Sequence, residues 1–274
     1  NYTDLKNNDL GEGTLQARYI RGASGDKPYT LGKYESTRTR VAIAELAANG
    51  GAPMGFYTRF TDPVAREVVT QYYRFIRRHD AIYRRNRPHA EAVLLFPRKS
   101  VHAGDIGLVE AFRQTGRALL DRHVLFDILP DDLAKADRFS GYSKVYQAGD
   151  GVQEGQTKFS APPTVRVSAS RPDTGDALHL HLVNYNRTEP SKPKSPGGGI
   201  QDEKPISVKE FLCAVPIPAG NRLKDIRLFT PEKKNPVELR SDVRETGMVH
   251  FTIPKFHVYA VAELSLQPGS RDAP

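Results

Sequence analysis

The chain carries a single cysteine, Cys213, which excludes an internal disulfide and any multi-cysteine metal site. No stretch approaches the roughly 18 apolar residues that a membrane helix needs. The opening NYTDLKNNDLGEG lacks the charged-then-apolar pattern of a signal peptide. A G-x-S-x-G elbow, a P-loop, an H-E-x-x-H pair and a catalytic-cysteine pattern are all missing. Without a G-x-G-x-x-G turn a nucleotide cofactor is not expected, and no cofactor or metal is called for. There is no internal repeat and no RNP, KH or zinc-finger pattern. Acid–base chemistry by carboxylates is what these absences leave open.

The best-defined stretch runs from Glu91 to Asp132. Ala92–Phe96 is a short apolar run closed by Pro97 and reads as a buried strand. Asp105–Arg122 reads as an amphipathic helix, with Leu108, Phe112, Thr115, Leu119 and Arg122 at steps of three and four. Val124–Leu129 is a second apolar run, stopped by Pro130. Strand, helix and strand in this space make a βαβ unit with a parallel pair.

Upstream, ARYIRG (residues 17–22) reads as a strand, and a helix from Ser36 or Thr37 stops at Asn49-Gly50-Gly51. APMGFYTRF (52–60) reads as a strand, and Asp62-Pro63 opens a long helix that extends toward Tyr83. The segment Arg84–His89 reads as a basic linker. This alternation of strand and helix implies a parallel sheet or barrel, with working residues at the carboxyl ends of strands. Tyr142–Val145 offers a third strand, followed by a seam near residues 146–156. From residue 161 the texture is antiparallel: VRVSAS, ALHLHLVNYN, EFLCAVPIP, IRLFTP, MVHFTIP and HVYAVAELSL suit a β-sandwich, interrupted by a flexible insertion over 187–204.

The formal net charge of +8 is concentrated. Arg59 to Lys99 holds ten Lys/Arg against four acids, the electrostatic footprint of a polyanion site. An anionic polysaccharide is attracted by such a field as well as a nucleic acid, and no nucleic-acid motif accompanies it. His179 and His181 form an H-x-H on one strand face with Leu178, Leu180 and Leu182 opposite. That geometry suits a metal, but no third ligand is placed by sequence and a structural role is the plainer reading. His102 follows the first strand of the βαβ unit, where open sheets bind ligands, although without a glycine-rich turn a structural role is the plainer reading. Asp105 reads as a helix N-cap. Glu35, in KYEST, stands where a barrel keeps a pocket carboxylate, although a helix-start acid is the plainer reading. Tyr57 and Arg59 line the same pocket in this reading, or serve as barrel-rim structure.

The run RVAIAELAANGGAPMGFYTRFTDPVAREVVTQYYRFIRRHDAIY, with AVLLFPRKSVHAGD and VEAFRQTGRALLDRHVLFDILPDD, resembles the region of β-galactosidase-like glycoside hydrolases, family 42 and its relatives, where the catalytic barrel passes into the trimerisation domain. The resemblance covers residues 30–145 well and 160–266 loosely. It implies the C-terminal part of a (β/α)8 barrel over 1–88, a partial flavodoxin-like domain over 89–150 and a β-sandwich over 151–274. It also implies cleavage of an oligo- or polysaccharide by two carboxylates, with Glu35 as the catalytic candidate and Tyr57 and Arg59 as substrate-binding candidates. A homo-oligomer, no nucleic-acid or membrane partner, and a secreted or periplasmic location are expected with it. The alternative is a non-catalytic assembly or carbohydrate-binding portion. A full barrel needs roughly 250 residues, so the sequence is expected to be a fragment or joined pieces that lack the general acid.

Cys213, in an alternating strand-like segment, is expected to be buried and inert. A thiol reagent should leave the native protein unlabelled and react once denaturant is added. Fast stoichiometric labelling of native protein would contradict this.

Overall fold

The computed structural model describes residues 10–25, 27–31, 39–52, 63–134, 139–188, 204–244 and 247–269. Its helical part comprises α1 (Glu12–Ser24), α2 (Thr39–Ala48), α3 (Pro63–Arg78), a single 3-10 turn (Asp80–Ile82), α4 (Arg98–His102) and α5 (Gly107–Asp121). The strands are β1 (Asn86–Pro88), β2 (Ala92–Phe96), β3 (Phe126–Pro130), β4 (Lys144–Tyr146), β5 (Lys158–Phe159), β6 (Val165–Pro172), β7 (Ala177–Asn184), β8 (Arg187–Thr188), β9 (Lys204–Pro205), β10 (Phe211–Pro216), β11 (Asn221–Phe229), β12 (Val237–Glu238), β13 (Ser241–Val243), β14 (Met248–Ile253) and β15 (Tyr259–Pro268). An α/β portion is followed by a β-rich portion, as the sequence indicates.

The βαβ unit forms as its period requires. β2 pairs in parallel with β3 on one side and with β4 on the other. Leu94, Phe112, Leu119, Ile128 and Tyr146 close a core around α5. That helix ends in a Schellman motif, with the Val124 amide donating to the Leu119 carbonyl at 3.0 Å and His123 in the left-handed region at φ 56°. Asp105 is not the cap: position Ile106 precedes the helix and no side chain caps it.

Two segments differ from the sequence reading. The predicted strand ARYIRG lies inside helix α1, which packs on β3 so closely that a Cβ at Gly22 would stand 1.8 Å from the Ile128 carbonyl oxygen. Tertiary packing decides this segment, since Leu15, Arg18 and Gly22 are all buried at helical spacing. The predicted basic linker contains β1, an edge strand antiparallel to β6. Its proline falls at an edge strand, where Pro is tolerated.

The antiparallel part is a six-stranded sheet in the order β1-β6-β7-β15-β11-β12 and a four-stranded sheet in the order β13-β14-β10-β5. Both sheets contribute to one apolar core, with Leu178, Leu180, Leu182, Ala262 and Leu264 from the first and Phe211, Cys213, Val215, Val249 and Phe251 from the second. Burial pushes the Cys213 thiol pKa up. The opposite face of the large sheet is covered too. Val183, Tyr259 and Val261 pack there against Val41, Ala44, Val68, Tyr72 and Phe75 of α2 and α3, so every residue of β7 is buried. The short β8–β9 pair stands at the base of the insertion, most of which lies outside the described residues.

Arg18 joins these layers. It is 2% exposed and donates to the Phe126 carbonyl of β3 (3.0 Å), the Val167 carbonyl of β6 (2.9 Å) and the side-chain oxygen of Asn49 just past α2 (3.1 Å). Its guanidinium lies 4.4 Å from the centre of the Phe126 ring. Burial, with Arg21 close by, lowers its pKa to about 9, so it stays charged at neutral pH. Glu91, just before β2, holds the segment ahead of β5: its carboxylate accepts the amides of Gln156 and Thr157, each at 2.7 Å. Each of the three acceptors orphaned in a dry interior costs about 1–3 kcal/mol, so Arg18→Ala is expected to lower the unfolding free energy by about 3–9 kcal/mol in urea melts. A loss below about 1 kcal/mol would contradict this role for Arg18.

Candidate functional site

Glu35, Tyr57 and Arg59 lie outside the described residues, as does most of the predicted strand 52–60. What is described is the frame on either side of them. Thr30 and Ala52 form a parallel bridge flanking α2, and the Thr30 hydroxyl donates to the Ala52 carbonyl at 3.0 Å. The Asn49-Gly50-Gly51 stop is a Schellman motif, with the Gly51 amide donating to the Leu46 carbonyl at 2.8 Å and Gly50 at φ 79°. Thr30 and Ala52 thus lie side by side in parallel, one on each side of α2 in the sequence.

The polar face of β7 is the other cluster. The Tyr83 hydroxyl donates to that of Tyr259 (3.2 Å), which lies 2.9 Å from His181 Nδ1, and His181 Nε2 lies 3.1 Å from the Ser170 hydroxyl. This order of donors assigns the proton of His181 to Nε2. His179 Nδ1 faces Asn86 Oδ1 (2.9 Å) and its Nε2 faces Glu263 (3.2 Å). The amide of Asn86 is oriented by bonds from its nitrogen to the Ala81 and Arg84 carbonyls. The hydrogen bond from His179, followed by the pairing with Arg227, holds the Glu263 carboxyl below its ordinary range. Every ring nitrogen of this H-x-H pair is taken by a protein partner. Among the described residues no group of three or more His, Cys, Asp or Glu is arranged to hold a metal.

The buried carboxylates are engaged in the same way. Glu45 accepts from Tyr185 (2.5 Å) and Thr14 (3.2 Å), and Asp127 pairs with Arg21 and accepts from Tyr142 at 2.9 Å. These groups fasten elements to one another. His102 is exposed on α4 beside the Arg98–Asp132 ion pair (2.8 Å) at the carboxyl end of the parallel sheet. A cleft of about 550 Å³ lies over His181 and Ser170, walled by Tyr29, Tyr83 and Arg85. Its lining includes Lys27 and Gly50, which precede Thr30 and Ala52, so it opens at the amino end of that parallel bridge. Sequence reasoning missed Arg18, Asn49 and Glu91. The recurrence of Leu15, Arg18 and Gly22 at steps of three and four was the available signal for the first.

No protein-family model and no curated protein matches the chain. Among solved structures it is similar to α-L-fucosidase isoenzyme 2 from Paenibacillus thiaminolyticus, at 12% identity and a TM-score of 0.64, over 92% of this chain and 62% of that one. It therefore spans less than two thirds of that protein's length. A cycloisomaltooligosaccharide glucanotransferase from Paenibacillus sp. superposes more loosely, at 13% identity and a TM-score of 0.42, over 86% of this chain and 28% of that one. The first likeness shows a shared fold. Among the described residues no helix is long and apolar enough to cross a membrane.

His181 supplies a pH test. Burial, and secondarily His179, lowers its pKa from the usual 6.5 to about 3. Above pH 6.5 the ring is neutral in both folded and unfolded chains. Between pH 6.5 and about 3 the unfolded chain binds the proton and the fold does not, so stability falls by up to about 1.4 kcal/mol per pH unit as pH drops. His181→Gln should flatten that fall in urea melts taken across this range, and an equal slope in the variant would contradict it.

Proposed function

We propose that the chain is part of a glycoside hydrolase that cleaves glycosidic bonds in an oligo- or polysaccharide with two carboxylates. The observation that carries this reading is the superposition on the fucosidase chain over 92% of the sequence. The parallel Thr30–Ala52 bridge flanking α2 supports a barrel origin for the first portion, residues 1–88. Residues 89–150 are read as a partial flavodoxin-like domain, in keeping with the parallel order β3-β2-β4. Residues 151–274 are read as a β-sandwich, in keeping with two sheets on one core.

Glu35 is the proposed catalytic carboxylate, because it follows Thr30 closely in sequence and barrel enzymes carry their chemistry beyond the carboxyl ends of strands. Tyr57 and Arg59, following Ala52, are the proposed sugar-binding groups. The engagement of Glu45, Glu91, Asp127 and Glu263 with structural partners favours a carboxylate outside the described residues. A homo-oligomer and an exported location belong to the same reading.

A second reading, a non-catalytic assembly or carbohydrate-binding portion, draws on the described carboxylates being structural. Glu35→Gln in the complete protein separates the two. It is expected to lower turnover about a thousandfold or more, as loss of a group acting on the reacting bond does. A wild-type rate would remove Glu35 from the mechanism.

A further inference from the structure

Several arginines among the described residues are paired with acids. Arg21, Arg84, Arg87, Arg98, Arg113 and Arg227 each meet a carboxylate. Arg66, Arg74 and Arg78 on α3 are exposed, and among the described residues none of the three does. Together with Thr70 they stand at steps of four along the helix, and they line a groove of about 640 Å³ whose far wall is Pro231. The turn that carries Pro231 is tied to the helix by Gln71 Nε2, which donates to the Pro231 carbonyl at 3.1 Å, and by the Tyr72 hydroxyl, which donates to Glu232 at 3.3 Å. The same turn continues into exposed Lys233 and Lys234.

This placement works against the helix itself. Arg66 sits in the first turn, which holds no acid, at the end where the helix dipole already presents positive charge. Arg74 and Arg78 repel each other across one turn. Arg78 is favourable at the carboxyl end of α3, but Arg66 and Arg74 gain nothing from the dipole. Glu67 is the one acid in α3, facing four arginines on the helix. An anion lying in the groove would neutralise all three unpaired guanidiniums at once. The Thr70 hydroxyl and the Gln71 amide nitrogen donate to the Arg66 and Pro231 carbonyls, which leaves the hydroxyl and amide oxygens to accept from sugar hydroxyls, and Glu67 is the one acid in the lining. The only aromatic ring lining the groove, Phe75, is buried, so the stacking platform of a single-strand nucleic-acid site is missing.

We infer that the α3–Pro231 groove binds a segment of an acidic, carboxylated or sulfated, polysaccharide, away from the bond that is cleaved. This rests on the glycosidase reading for the choice of polymer and gives it a substrate class. The test is binding of polygalacturonate to the Glu35→Gln protein, so that no cleavage intervenes, over a series of salt concentrations. Counterion release predicts salt-dependent binding. Removing three guanidinium contacts should weaken it at least about tenfold and lower the slope of log affinity against log salt by about 2–3. The variant is Arg66→Gln/Arg74→Gln/Arg78→Gln, with Lys144→Gln on β4 as a control that leaves binding unchanged. Because the three side chains are exposed and their mutual repulsion is lost, the variant should melt at or slightly above the temperature of its parent. No binding by the parent, equal binding by the triple variant, or tighter binding of polydeoxythymidylate than of polygalacturonate overturns the inference. Failure of the complete protein to hydrolyse any glycan would sink the glycosidase reading and leave the groove's binding result standing.

Discussion

The molecule depends on one buried guanidinium. Arg18 reaches three layers at once, α2's end, β3 and β6, and all three acceptors are neutral. A fork of rigid donors can serve three acceptors in fixed directions, and an ammonium group on a flexible stem cannot hold the same directions. Stacking on Phe126 sets the plane of the fork and replaces part of the lost hydration. No carboxylate is among the atoms it bonds, so carbonyl and amide dipoles and the Phe126 ring hold the charge, with Asp127 acting from farther off. This makes the site intolerant of change: any shorter side chain leaves polar groups dry.

The large sheet follows from that seam. It has helices on one face and a second sheet on the other, so its histidines, usually a surface feature of an antiparallel strand, become interior groups. A buried polar group must find a partner or cost the fold a large share of its stability. The chain meets this with closed networks: Tyr83–Tyr259–His181–Ser170, Asn86–His179–Glu263–Arg227, and Glu45 with Tyr185 and Thr14. The histidines, tyrosines and carboxylates of these networks are therefore committed to holding elements together. Among the described residues the arginine ridge of α3 stays exposed beside a groove.

Much of this was legible in the sequence. The parallel unit around α5 announced itself by a change from run to helical period and back, and the six antiparallel segments by alternation. The stop at Asn49-Gly50-Gly51 was read from glycine alone, and the inert Cys213 from its strand-like setting. Other features are properties of the assembled molecule. ARYIRG has the alternation of a strand because Arg18 is an interior residue, which single-sequence patterning counts as polar. The edge strand β1 is short and carries Arg87 and Pro88, so it looks like linker until β6 lies beside it. Glu91 looks like a surface acid before a strand, and its role exists only once residues 156 and 157 return to it. The catalytic assignment to Glu35, with Tyr57 and Arg59, stays at the level of sequence and resemblance.

The measurement that tests the central claim most directly is release of reducing ends by the complete protein from a panel of neutral and acidic oligo- and polysaccharides. The account predicts release well above the uncatalysed rate from at least one of them. No release from any member of the panel would contradict a glycoside hydrolase and leave the chain as an assembly or carbohydrate-binding portion.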